Sequence, residues 1–206
     1  MLLLAGIGNQ GNKYHSNRHN IGFMAIDSIC ESVRTSSMKD KHHGQFISHN
    51  ISGQKVGLFK TGKYMNECGH SLARIISFYK INPDNLVVFH DDLDLNPGQV
   101  KVKKNGGNAG HNGLRSIDAQ LGTSEYWRIR LGIGHPRDLV QRTDSENPRL
   151  SAAAPDVSSY VLGDFNRQER QWLVPLLKAV ADNVDYLAHK EFDKFQNNLN
   201  IALQKD

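Results

Sequence analysis

The chain has 206 residues, of which 22% are charged and 38% hydrophobic, and this composition is typical of a folded globular protein and not of a disordered one. No apolar run approaches the roughly 18 residues of a membrane span, and the opening run Met1–Ala5 is too short for the core of a signal peptide. The formal net charge of +4 at pH 7 is mild support for an anionic partner such as nucleic acid, although a basic protein without one is equally compatible with it.

The cysteines and histidines exclude several classes of site. Cys30 and Cys68 form neither a disulfide framework nor a Cys-x-x-Cys pair, so we expect a reducing, cytoplasmic location. The ten histidines include no His-Glu-x-x-His motif and no Cys/His pairing, and the sequence therefore predicts no zinc site. The Gly-x-Ser-x-Gly turn of a serine nucleophile is also missing from the sequence.

Hydrophobic periodicity predicts a chain of strands interspersed with helices. The predicted strands are, in chain order, Leu2 to Ala5, Gln45 to Ile51, Val56 to Lys60, Leu86 to His90, Gln99 to Lys103 and Trp127 to Ile133. The predicted helices are Asn20 to Arg34, Cys68 to Tyr79, Gly113 to Gln120 and Arg167 to His189. Pro175 is expected to end or kink the first turn of the last helix.

The strands are of two kinds, which indicates a mixed sheet. Residues 86–89 are continuously apolar, as in a central strand buried on both faces. Residues 99–103 and 127–131 alternate, as in strands with one exposed face. We therefore predict an α/β fold, a single domain over residues 1–206 with a mixed twisted β-sheet flanked by helices. The polar residues 137–159 are expected to form a long surface loop of that domain.

The turn after the first strand has two interpretations. Gly6, Gly8 and Gly11 match the Gly-x-Gly-x-x-Gly fingerprint of dinucleotide-binding folds, but the polar residues that follow carry no helical stripe. The fingerprint also requires a second strand that ends in an acidic residue about 20 residues further on. The sequence predicts no such strand end at that distance. The alternative is a catalytic turn that brings Asn9 and His19 together. This interpretation requires that the ends of other strands supply further side chains to the same site.

Three aspartates, Asp91, Asp92 and Asp94, follow the most apolar strand. Asp91 can orient an imidazole and favour its charged form. Turn and cap interactions explain the same residues about equally well, and a Mg²⁺ site is a further alternative.

Two asparagines stand near predicted helix starts, Asn66 before the second helix and Asn112 at the end of the glycine-rich loop of residues 106–113. Either can cap its helix or present an amide to a substrate. The glycine density of the loop lets a ligand approach the backbone, and this favours a functional role there.

Cations alternate along two predicted strands. Lys101 and Lys103 share one strand face, and Arg128 and Arg130 share one face of the other. If the strands are neighbours, four cations line one surface, which suits phosphates. A solvated polar face is the commoner explanation of such alternation.

Taken together, the loops resemble those of bacterial peptidyl-tRNA hydrolases, in order and over nearly the whole chain. The matching stretches are Gly6 to Gly22, Lys63 to Gly69, His90 to Gly98, Gly106 to Leu114, Arg128 to Pro136 and Val161 to Phe165. The resemblance implies hydrolysis of the ester that joins a peptide to the 3′ end of tRNA. It implies a role in translation and ribosome rescue in the cytoplasm, with no cofactor and no metal.

The resemblance also implies partners and site residues. The partner is peptidyl-tRNA, through its 3′ CCA end and acceptor stem; no membrane and no obligate protein partner are expected, and the chain is expected to be a monomer. The implied residues are His19, Asp91 and Asn9 for catalysis, Tyr14, Met65, Asn66 and Asn112 for the substrate, and Lys101, Lys103 and Arg130 for tRNA phosphates.

Three positions depart from the family pattern. Gln10 replaces the usual proline, Cys68 the usual serine and Ala109 a common glycine, which puts local loop geometry in question but removes no reacting group. The expected mechanism is activation of water by His19, held by Asp91. A non-catalytic RNA-binding module and a metal-dependent hydrolase are the two alternatives.

Overall fold

The computed structural model describes residues 1–138 and 156–204, and in these residues a mixed seven-stranded sheet has helices on both faces. The strands are β1 (Leu2–Gly6), β2 (Lys39–Lys41), β3 (Gly44–Ile51), β4 (Gln54–Thr61), β5 (Leu86–Asp92), β6 (Val100–Lys104) and β7 (Trp127–Gly132). The helices are α1 (Ile21–Ser32), α2 (Cys68–Tyr79), α3 (Asn112–Leu121), α4 (Val157–Val161), α5 (Arg170–Asp182), α6 (Val184–Ala188) and α7 (Phe192–Leu203). The predicted α/β architecture with a mixed sheet is confirmed.

The strand order is β2-β3-β4-β1-β5-β7-β6. The four strands β4, β1, β5 and β7 run parallel, and β3 and β6 pair antiparallel with the strands beside them. The carboxyl ends of the four parallel strands therefore meet at one edge of the sheet. The chain passes from β1 to β4 on one side and then to β5 on the other, so β1 and β5 form a topological switch point, where α/β folds place their sites.

Alternate residues of β1 face two separate cores. Leu2 and Leu4 pack with α1 and with the carboxy-terminal helices α5, α6 and α7. Leu3 and Ala5 pack on the other face with α2 and α3. Burial on both faces explains why this strand and β5 are continuously apolar in the sequence.

The carboxy-terminal helices differ from the prediction. The predicted helix 167–189 is two helices, α5 and α6, separated at Asn183, whose side chain donates to the Ala179 carbonyl. Pro175 lies inside α5 and does not end its first turn. A proline interrupts only one helical hydrogen bond, and the burial of Leu173 and Leu176 on either side of it holds α5 against the neighbouring helices α1 and α7.

The expected loop 137–159 is partly corrected. Residues 157–159 belong to α4, which Asp156 caps by accepting from the backbone N–H groups of Ser158 and Ser159. Residues 139–155 lie outside the described part of the chain. Within residues 1–138 and 156–204, none of the helices combines the length and apolarity that crossing a membrane requires.

Candidate active site

Several segments converge on one cavity of about 1140 Å³ at the carboxyl edge of the sheet. They include the turn after β1, the turn after β4, the end of β5, the glycine-rich loop before α3, and α4, together with side chains from β6 and β7. The sequence-predicted residues that line the cavity are Asn9, His19, Met65, Asn66, Asp91, Lys103, Asn112 and Arg130. Tyr14 and Lys101 are not among the lining residues.

The centre of the cavity is a buried imidazole–carboxylate pair. His19 Nδ1 lies 2.9 Å from both Asp91 Oδ1 and Asp91 Oδ2, across 72 residues of sequence. A carboxylate only accepts hydrogen bonds, so Nδ1 carries the proton and donates. The Nε2 atom of neutral His19 is consequently left with its lone pair, as a general base requires.

Burial and charge act against each other in this pair. Burial lowers the pKa of His19, but the Asp91 carboxylate outweighs it, so the pKa is raised above 6.5. Burial raises the pKa of Asp91, but His19 and His111 outweigh it, and the pKa lies well below 3.8. Asp91 is therefore ionised at neutral pH and favours the imidazolium that forms when His19 accepts a proton.

A second histidine, which sequence reasoning missed, contacts the same carboxylate. His111 Nε2 lies 3.0 Å from Asp91 Oδ1, and His111 Nδ1 accepts from the backbone N–H groups of Gly113 and Leu114 at 3.0 and 3.3 Å. His111 is thus the N-cap of α3, a role that the sequence offered to Asn112 as one of two alternatives. The sequence feature that could have pointed to His111 is its position next to Asn112 in the glycine-rich loop.

Asn9 is held through its backbone by one partner and through its side chain by another. Asn20, another residue that the sequence analysis missed, accepts from Asn9 N at 2.8 Å and donates to Asn9 O at 2.9 Å. Met65 N donates to Asn9 Oδ1 at 2.8 Å. Because Oδ1 is the acceptor in that bond, the Nδ2 amide of Asn9 is the group left for a ligand in the cavity.

The other two site asparagines are exposed and line the cavity. Asn66 lies within the short 3₁₀ helix Met65–Glu67 and makes no side-chain cap bond to α2. Asn112 is the first residue of α3, and its Oδ1 accepts from Arg115. Neither residue is a helix cap, so the structural role considered for them in the sequence is wrong.

Tyr14 lies at the outer part of this region. Its ring contacts exposed Tyr64 edge-on, with 6.4 Å between the centroids, and Lys13 Nζ lies 4.7 Å from the Tyr14 ring centroid. The turn that carries Tyr14 does not open a helix: Gly11 has φ 118°, and two 3₁₀ turns precede α1. The dinucleotide interpretation, which needs the third glycine at the start of a crossover helix, is wrong.

The cationic strands are neighbours, but they do not present four equivalent charges. Lys101 is paired with Arg130, and Lys103 with Arg128, in the antiparallel ladder of β6 and β7. Arg128 is buried, with Nη1 donating to the Gly107 carbonyl at 2.8 Å. Arg130 Nε donates to Asp92 Oδ2 at 2.7 Å. The exposed cations of this face are therefore Lys101 and Lys103, with Arg130 partly accessible.

The atoms of His19, Asp91 and His111 that face one another lie within 4.8 Å, a spacing that a metal ion can bridge. In the structure these atoms are joined by hydrogen bonds of 2.9 to 3.0 Å. The cluster is therefore complete as a hydrogen-bonded group, and its carboxylate has imidazole donors on both sides.

Comparison with known proteins identifies the family. The family model described as peptidyl-tRNA hydrolase matches residues 3–206. A peptidyl-tRNA hydrolase of Methylobacterium sp. (strain 4-46) is 48% identical over 204 residues, covering 99% of this chain and 93% of that protein. One from Azorhizobium caulinodans is 45% identical, with 99% and 92% covered.

The fold leads to the same family. The crystal structure of peptidyl-tRNA hydrolase from Acinetobacter baumannii has a TM-score of 0.83 and 32% identity, covering 97% of this chain and 94% of that one. Family model, sequence relatives and fold agree over nearly the full length. This chain belongs to the peptidyl-tRNA hydrolase family, whose members are hydrolases acting on an ester bond.

Proposed function

We propose that this chain hydrolyses the ester between peptide and tRNA with His19 as general base and without a metal ion. The observation that carries this proposal is the buried contact of His19 Nδ1 with Asp91, which leaves Nε2 as a base at the cavity. General-base assistance of this kind contributes roughly 10²–10⁴-fold to a rate.

In the proposed reaction, water gives a proton to His19 Nε2 as its oxygen attacks the ester carbonyl. The tetrahedral intermediate then expels the 3′ oxygen of the tRNA, which takes the proton back from the imidazolium. Asn9 Nδ2 stabilises the oxyanion, because Met65 fixes the amide with its oxygen turned away. One such donor is typically worth about 3 kcal/mol.

The remaining site residues are assigned to the substrate. Asn66 and Asn112 bind peptide groups or the attacking water, with Met65 and Tyr14 beside them. Selectivity for N-acylated substrates follows because amide side chains pair with peptide groups and match a free ammonium poorly. Lys101, Lys103 and Arg130 bind phosphates of the acceptor stem, so that the CCA end reaches His19.

The setting is also part of the proposal. We infer a single-domain monomer that acts in the cytoplasm on peptidyl-tRNA released during translation, as in ribosome rescue, and needs no obligate protein partner. Support comes from the family membership and from the mild excess of positive charge, +4 at pH 7.

The test is release of peptide from N-acetyl-aminoacyl-tRNA by wild type, His19→Ala and the matched control His15→Ala, all with EDTA. His15 is exposed and lies four residues earlier in the same turn. We expect full activity of wild type and control, and loss of at least about 10²-fold in His19→Ala with tRNA binding retained. Near-normal turnover of His19→Ala would refute the proposal.

The same assay separates the alternatives. Activity that requires added metal would favour a metal-dependent hydrolase built on His19, Asp91 and His111. Binding of tRNA without turnover by the wild type would favour an RNA-binding module.

A further inference from the structure

His111 has two hydrogen-bonding roles at once. Its Nδ1 accepts from the backbone N–H groups of Gly113 and Leu114 in the first turn of α3. Its Nε2 contacts Asp91 Oδ1 at 3.0 Å, and the side chain is only 10% exposed. One imidazole therefore joins the end of β5 to the start of α3.

The two contacts fix the tautomer of His111. An imidazole nitrogen that accepts from N–H groups carries no proton, so the proton of neutral His111 is on Nε2. Nε2–H then donates to the carboxylate. Asp91 Oδ1 accepts from both His19 and His111, and Oδ2 accepts from His19. The plane of the carboxylate is thus set by two imidazoles that approach from different elements.

We propose that His111 is a positioning residue for the hydrolysis, which holds Asp91 ionised and in the orientation that serves His19. The inference deepens the proposed function and rests on it. His111 itself makes no contact with the reacting atoms in this scheme.

Other titratable or charged groups surround the three residues. They are His90 and Asp92 on β5, Lys103 on β6, Arg128 and Arg130 on β7, and Arg115 on α3. Asp92 and Arg130 are paired with each other. Burial, and then repulsion from His111, lower the pKa of His90 to about 3. His90 is therefore neutral at the near-neutral pH of the assays. Asp94 and His135 line the same cavity and are left unchanged in the variants below.

Two amide substitutions separate the roles of His111. In His111→Asn, the side-chain oxygen takes the place of Nδ1 and still caps α3, but the side chain is too short to reach Asp91. In His111→Gln, the amide nitrogen can take the place of Nε2 and donate to Asp91, but the cap is removed. Each variant keeps one of the two hydrogen-bonding roles, so each is the control for the other.

For His111→Asn we expect kcat to fall about tenfold with KM unchanged, the usual effect of losing a hydrogen bond to a charged group. The acid limb of the kcat profile should move to higher pH, because a less neutralised Asp91 favours the His19 imidazolium more strongly. The melting temperature should stay within about 1 °C of wild type, since asparagine is a good cap.

For His111→Gln we expect kcat within about threefold of wild type, an unmoved acid limb, and a melting temperature lower by about 2–4 °C.

A purely structural role predicts the opposite pattern. If His111→Asn has the kcat and acid limb of wild type, or if His111→Gln loses as much kcat as His111→Asn, the inference is wrong. Failure of the proposed function looks different: wild type lacks turnover of N-acetyl-aminoacyl-tRNA, or His19→Ala retains it, whatever the His111 variants do.

Discussion

At the scale of single residues, Asp91 is the group on which the hydrogen bonds of the candidate site converge. Its carboxylate accepts from His19 and His111, and its backbone carbonyl accepts from His90 Nδ1 at 2.7 Å. A buried carboxylate is stable in ionised form only when such donors surround it. The same donors hold it in the orientation that the proposed general base requires.

The pKa directions give a test at this scale. His19 must be neutral to accept a proton, so activity should be lost as pH falls through its raised pKa, above 6.5. In Asp91→Asn the charge that raises this pKa is gone, so the acid limb should move to lower pH. Turnover at pH 8 should nevertheless fall roughly 10²–10⁴-fold, because an amide no longer selects the Nδ1–H tautomer.

The matched control is Asp40→Asn, which removes one exposed carboxylate from β2, on the far side of the sheet from β7 and β6. Its pH–rate profile should coincide with that of wild type. An acid limb of Asp91→Asn that stays in place or moves to higher pH would contradict the assignment of Asp91.

At the scale of elements, α1 fixes the position of His19 through close backbone packing. A Cβ on Gly22 would lie 2.4 Å from Phe89 O and 2.7 Å from Ile7 O, so α1 lies directly on the turn after β1 and on β5. Gly22 follows His19 by three residues. The helix can therefore bring His19 to Asp91 only while its first turn carries no side chain at this position.

We expect Gly22→Ala to lower the free energy of unfolding by about 1–3 kcal/mol, the usual cost of overpacking, and to reduce kcat by displacing His19. Urea denaturation with a turnover assay measures both. Gly107→Ala is the stability control, because a Cβ there meets nothing within 4 Å. Equal unfolding free energies for the two variants would show that the close packing of α1 is not limiting.

At the scale of the whole molecule, the strand order decides which exposed lysines lie near the cavity. Exposed Lys101 and Lys103 lie on β6, at the end of the sheet opposite β2. The cavity lies at the carboxyl ends of the central strands, and Lys103 lines it. Phosphates along an acceptor stem could therefore meet these lysines while the 3′ end occupies the cavity.

Substituting Lys101 and Lys103 by glutamine should raise KM for peptidyl-tRNA and leave kcat nearly unchanged. The slope of log KM against log salt should fall by about one for each phosphate that the protein no longer binds. Lys39→Gln on β2 is the control with the same kind of charge removed, and its slope should equal that of wild type. An unaltered slope in the double variant would refute the phosphate assignment.

Sequence patterns predicted some elements closely. The apolar positions of Cys68 to Tyr79 recur at helical spacing, and α2 has those bounds. The strand β2 escaped prediction because Lys39, Asp40 and Lys41 are polar and exposed, and only pairing with β3 makes them a strand. The helix α7 was also missed, although Phe192, Phe195 and Leu199 carry its buried stripe.

The sequence by itself determined the composition of the site: an imidazole, a carboxylate and amides placed after strands, in an order that resembles one family. Only the tertiary structure decided how these groups are connected. His19 reaches Asp91 because β1 and β5 are adjacent and parallel, a pairing between distant segments that local periodicity does not encode. The same convergence makes His111 a partner of Asp91 and Asn20 a partner of Asn9. It also buries Arg128, so that this side chain is not exposed beside Lys101 and Lys103. Hydrogen-bond geometry and burial depend on which segments pack together, and a sequence pattern does not show this.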